Sequence, residues 1–140
     1  MLTQEELEAM EDANDTEVGR YEKACLATRR TLDECIRNLA ILEATEFDSD
    51  ARDELANQRL ELEARRISLV RANIAFHANQ NSMTPPSPQF VKELTDLAKS
   101  ATDLTTQKAT ATAILRLATR ALTKFAAIQD LEGGHGGGPE

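Results

Sequence analysis

The stretch from Phe90 to Phe125 reads FVKELTDLAKSATDLTTQKATATAILRLATRALTKF, and its spacing decides the architecture. Phe90, Leu97, Leu104, Ala111, Ala118 and Phe125 recur every seven residues, interleaved with Leu94, Ala101, Lys108, Leu115 and Leu122. Ten of these eleven positions are apolar, the pattern of a helix that presents one seam to other helices. Thr102, Thr105, Thr106, Thr110 and Thr112 lower helix propensity in the middle, and a break there would yield four helices instead of three. The seam stays in phase on both sides, whereas a loop usually resets the phase. The spacing therefore predicts one helix from Pro88 to about Leu131.

Working toward the N-terminus, Ser87 followed by Pro88 is a helix start: the hydroxyl caps free amides, and Pro occupies the first helical position, where its missing N–H is not needed. The preceding run, Asn79 to Pro86, is made of turn formers and a rigid Pro-Pro step. It ends a second predicted helix that begins near Asp50. Asp48, Ser49 and Asp50 each suit the N-cap of that helix, so the turn before it is tight and the flanking helices are antiparallel neighbours. The first predicted helix, from Thr16 to about Phe47, carries Val18, Cys25, Leu32 and Leu39 with Tyr21, Cys35, Ile36 and Leu42 on one face. Thr3 with Glu6 matches a capping box for a short acidic helix that ends near Asp12. The expected fold is all-α: an antiparallel up-down-up bundle of three long helices with a short acidic N-terminal extension. Residues 1–132 form a single domain, and residues 133–140, five of them Gly, are expected to be a disordered tail.

Composition narrows function by exclusion. The chain has 140 residues, a net charge of -8, 41% hydrophobic residues, 4% aromatics and no Trp. A Leu, Ile, Val and Ala core suits close helix packing more than an aromatic-walled ligand cavity. Negative charge repels nucleic-acid phosphates and anionic lipid headgroups. The start, Met1-Leu2-Thr3-Gln4-Glu5-Glu6, has neither the basic nor the apolar region of a secretory leader, and no apolar run is long enough to span a bilayer, so a cytoplasmic protein is expected. Cys25 and Cys35, about 15 Å apart along one helix, are beyond disulfide reach and read as small core residues.

No catalytic or metal constellation emerges. A di-iron bundle needs Glu-x-x-His pairs, but Ile74 stands three residues before His77. The cysteines lack the close spacing of a zinc site. Asp12, Asn14 and Thr16 imitate the start of a calcium loop, but Glu17 replaces its Gly and Lys23 stands where the bidentate Glu belongs. The only Gly cluster follows the last helix, so it cannot cradle a phosphate at a helix start. His77 has no neighbouring Lys or Gly to hold a phosphoryl group, which leaves phosphotransfer a distant third reading. Neither a cofactor nor a small-molecule substrate is expected.

Two features point instead to protein surfaces. The third predicted helix is about 20 Å longer than its neighbours, so either the helices bend until Leu122, Phe125, Ile128 and Leu131 are covered within the monomer, or these residues overhang and dock onto a second copy or another protein, the reading expected here. On the second helix, Leu55, Leu62, Leu69 and Phe76 form one stripe, and Leu60, Ile67, Val70 and Ile74 form another. Arg52, Arg59, Arg66 and Asn73 run between them. One account has the arginines snorkel to solvent, with Glu63 bridging Arg59 and Arg66. The other turns one stripe inward and the second toward a partner whose carboxylates meet the arginines. The partner-binding candidates are thus Leu122, Phe125, Ile128, Leu131, Arg59, Arg66, Leu60, Ile67 and Ile74. The acidic start from Glu5 to Glu17 is read as a solvated face or an arm for a basic partner. The function expected is a non-catalytic interaction module: an adaptor, a small secretion-type chaperone or an assembly subunit. The alternative is a self-assembling structural coiled coil.

Overall fold

The computed structural model describes the backbone of residues 17–78 and 86–137 and the side chains of residues 19–75 and 86–127. The described residues are helical apart from short connections. In chain order the helices are α1 (Glu17–Thr45), α2 (Ser49–Ala78), α3 (Pro88–Thr102), the single turn α4 (Leu104–Gln107) and α5 (Ala111–Gly137). The expected acidic helix near residues 3–12 lies outside the described residues.

Local chemistry places the first boundaries where the sequence predicts them. Asp48 caps α2: its Oδ2 accepts from the Ala51 amide at 2.8 Å, and its carbonyl accepts from the Arg52 amide. Ser87 caps α3, its hydroxyl accepting from the Phe90 amide at 3.1 Å, with Pro88 opening the helix.

The expectation of one continuous third helix is incorrect. The helix ends at Thr102, makes one further turn and stops at Lys108, which adopts φ 52 and ψ 52 in the left-handed region. The Lys108 amide bonds to the Thr105 carbonyl and the Ala109 amide to the Leu104 carbonyl, so two helix-end carbonyls that would lack partners are satisfied. Thr110 then caps α5, its hydroxyl accepting from the Ala113 amide at 3.2 Å. The bundle thus has four long helices instead of three. Lys108, the one polar member of the eleven seam positions, is the residue at which the chain turns. α5 in turn runs helical to Gly137, beyond the expected end near Leu131.

α1 is the central helix, in contact with α2, α3 and α5. Direction follows from paired contacts. Arg59 and Arg66 of α2 meet Glu43 and Asp33 of α1, so these helices are antiparallel. The Arg20 Nε donates to the Pro86 carbonyl before α3, while Asn38 lies beside Thr105 after it, so α3 runs parallel to α1. Tyr21 packs on Phe125 and Cys35 lies against Ile114, which makes α5 antiparallel to α1. The order is up, down, up, down.

The core comprises Tyr21, Cys25, Leu32, Cys35 and Leu39 of α1 with Leu94, Leu97, Leu104, Ile114, Ala118 and Phe125 from the later helices. A second face of α1, which the hydrophobic pattern does not mark, is also buried: Ala24, Ala27, Thr28 and Thr31. Both threonines tolerate burial because their hydroxyls donate back to the Ala24 and Ala27 carbonyls at 2.8 and 3.0 Å. Cys25 and Cys35 are free, buried thiols. The Cys35 thiol donates to the Ile114 carbonyl at 3.5 Å, and burial, reinforced by the nearby Glu34 charge, pushes its pKa up to about 12.

Candidate protein-interaction surface

The surface is carried by α2, and its origin is the double stripe in that helix. At about 100° per residue, Leu55, Leu62 and Leu69 project on one side, and Leu60, Ile67 and Ile74 on a second side about 140° away. The structure turns the first set onto α1: Leu55, Leu62 and Leu69 are buried. The second set faces away, with Leu60 53%, Ile67 52% and Ile74 64% exposed. Val70, between the two, is 40% exposed and flanks the cleft where α2 meets Gly19, Cys25 and Leu26 of α1.

Arg59 and Arg66 stand between the stripes, and their partners come from within the chain. The Arg59 guanidinium donates to Glu43 Oε1 and Glu63 Oε2, each at 2.8 Å. These two carboxylates, Glu43 foremost, hold the Arg59 pKa above its ordinary value. Arg66 donates to Asp33 Oδ1 at 2.9 Å. The expected Glu63 bridge is present at Arg59 and is corrected at Arg66. Glu63 reaches only Arg59, because Arg66 turns across the helix interface to Asp33. The carboxylates thought to belong to a partner are supplied by α1, which runs antiparallel at the right height. Ion pairs at this degree of exposure orient α2 on α1 more than they stabilise it.

The expected overhang is also corrected. Phe125 is 3% exposed and its ring meets Tyr21 edge-on at 5.8 Å. Leu122 is half-buried against the core and lines a groove between α5 and α2 with Leu62, Leu115 and Thr119. The cause is the turn at Lys108. A straight helix of that length would project past its neighbours, whereas the broken one folds back along α1 and spends those side chains internally. Ile128 and Leu131 lie beyond the described side chains, as does His77.

Three further exposed apolar residues carry no periodic signal that would have singled them out. Leu26 is 65% exposed on the ridge of α1 between α2 and α3, Ile41 44%, and Phe47 97% in the turn before α2. Leu26 also flanks a groove whose α1 and α3 walls bear Lys23, Arg30, Lys92 and Lys99 with Asp96. On the opposite side, Lys124 of α5 donates to Glu93 of α3 at 2.7 Å and lies 5.4 Å from the Phe90 ring centroid. That ammonium holds the Glu93 carboxyl below its ordinary pKa. Among the described residues, no three His, Cys, Asp or Glu side chains gather where they could share a metal ion, and no helix is long and apolar enough to cross a membrane.

Comparison of the chain with protein-family models, with curated proteins and with solved structures returned no match.

Proposed function

We propose that this protein is a non-catalytic protein-interaction module, an adaptor, small chaperone or assembly subunit, that binds through the outer face of α2. The observation that carries the reading is the heptad-spaced row of Leu60, Ile67 and Ile74, each more than half exposed on a side of α2 turned away from the buried Leu62 and Leu69. A fully buried aliphatic side chain contributes about 1.5–3 kcal/mol, so roughly 1 kcal/mol per residue remains to be gained on this face. Three such residues in a row exceed what the surrounding surface ion pairs offer. Lone exposed apolar residues need no explanation, but a row at helical spacing on one face is the pattern by which helices recognise helices. The clefts beside α2 are open to solvent, which suits a macromolecular ligand better than an engulfed small molecule.

The test is a photo-activated cross-linking residue placed at Ile67 in the host cell, with the same residue at the exposed Arg120 of α5 as control. Protein adducts from position 67 that position 120 does not yield support the reading. Equal adducts at both positions, or none at 67, reject the α2 face as a binding surface.

A further inference from the structure

We infer that the occupant of the α2 outer face is the α2 helix of a second copy of this chain, packed antiparallel about a two-fold axis at Ile67. The inference rests on the interaction reading above and names the partner for that face.

The first argument is symmetry of the seam. Leu60 and Ile74 flank Ile67 at equal distances of seven residues, and Ala64 and Arg71 complete a spacing of four and three, the pattern of a coiled-coil stripe. An isologous contact requires a surface that complements itself when rotated by 180°. Reversal about Ile67 lays Leu60 against the second copy's Ile74 and Ile67 against itself. Ala64 is small enough to let the two helices approach closely.

The second argument is charge. From Ser49 to Glu63, α2 carries Asp50, Asp53, Glu54, Glu61 and Glu63 against Arg52 and Arg59, a net -3. From Ala64 to Ala78 it carries Arg65, Arg66 and Arg71 and no carboxylate, a net +3. Only part of this is used internally. Arg59, Glu63 and Arg66 join pairs within the chain, whereas Asp53, Glu61, Arg65 and Arg71 are exposed and join no ion pair among the described residues. With the axis at Ile67, position 63 faces position 71, so antiparallel pairing sets Arg71, on the seam, near the second copy's Glu61 and Glu63, whereas Asp50, Asp53 and Glu54 fall opposite positions beyond α2 and take no part. Parallel pairing sets like charge on like and is disfavoured by the same sum. The match of Arg71 to Glu63 repeats on both sides of the axis at Ile67, as an isologous contact requires.

Sedimentation of the purified chain over a range of concentrations tests the contact. The wild type is expected to pass from monomer to dimer, and Ile67→Glu is expected to raise the dissociation constant about a hundredfold at unchanged helicity, because a charge at the centre of the interface must be desolvated. Orientation is read by oxidation of Leu60→Cys, of Ile74→Cys and of their mixture, with Cys25 and Cys35 buried and out of reach. A covalent dimer from the mixture but from neither variant alone supports the antiparallel pair. A covalent dimer from either variant alone overturns it, and so does a loss of helicity in Ile67→Glu. A wild type that stays monomeric up to about 1 mM also overturns it. In that case, adducts from position 67 to a different protein leave the interaction reading standing, whereas their absence removes both.

Discussion

The ring of Tyr21 at the start of α1 meets the ring of Phe125 near the end of the described α5 side chains, their centroids 5.8 Å apart and their planes at 64°. Tyr21 is 1% and Phe125 3% exposed, so the contact is part of the core. It ties the start of α1 to the later part of α5, which the turn at Lys108 brings side by side at one end of the bundle.

Phe125→Ala should therefore destabilise the fold by about 3–5 kcal/mol, the range for truncating a buried aromatic. Phe125→Asp should abolish most of the helical circular dichroism signal, since its carboxylate would be buried without a partner. A Phe125→Asp protein that keeps its helicity would return this residue to the surface.

Lys108 offers a prediction whose sign depends on the break. At φ 52 a side chain crowds the backbone, and Gly does not. Lys108→Gly should raise stability by about 0.5–1 kcal/mol in urea unfolding. In a continuous helix the same substitution would cost about 1 kcal/mol.

Leu69 and Ile67 are two residues apart on α2 and face opposite ways, one 5% exposed and the other 52%. Leu69→Ala should cost about 2–5 kcal/mol. Ile67→Ala, measured in dilute solution where any dimer has dissociated, should stay within about 0.5 kcal/mol of the wild type. Equal losses at the two positions would show that the outer face of α2 is covered within the monomer.

Cys35 predicts an alkaline limb of stability. Its pKa in the folded state, raised to about 12 chiefly by burial, lies above the unfolded value of about 8.5. A group with a raised pKa stabilises the fold fully below the unfolded value. That contribution fades as pH climbs from about 8.5 toward 12, because the unfolded chain loses the proton first. Thermal melts across this window should show a decline that Cys35→Ala lessens. At neutral pH, thiol reagents should modify Cys35 only as fast as the bundle opens.

Much of the local structure was legible from nearby residues. Asp48 and Ser87 mark helix starts because a cap needs only the amides three residues ahead, and the two apolar stripes of α2 follow from helical geometry alone. The break between α3 and α5 was not legible from the heptad. Two helices that both pack against α1 can keep the same phase as one unbroken helix. The distinguishing signals were small: a lysine on the seam, and Thr110 three residues before Ala113. The turn also acquires a tertiary contact, the Thr105 hydroxyl donating to Asn38 Oδ1 of α1 at 3.0 Å.

Sequence by itself thus determined that the chain is helical, where α1 and α2 meet, where α3 begins, and that α2 has two apolar sides with arginines between them. Tertiary structure alone decided which side is core. The two stripes are nearly equal in hydrophobicity, so burial turns on what α1 offers at each height. With Leu55, Leu62 and Leu69 facing inward, Glu43 and Asp33 receive Arg59 and Arg66, and Leu60, Ile67 and Ile74 are left exposed on the outer face.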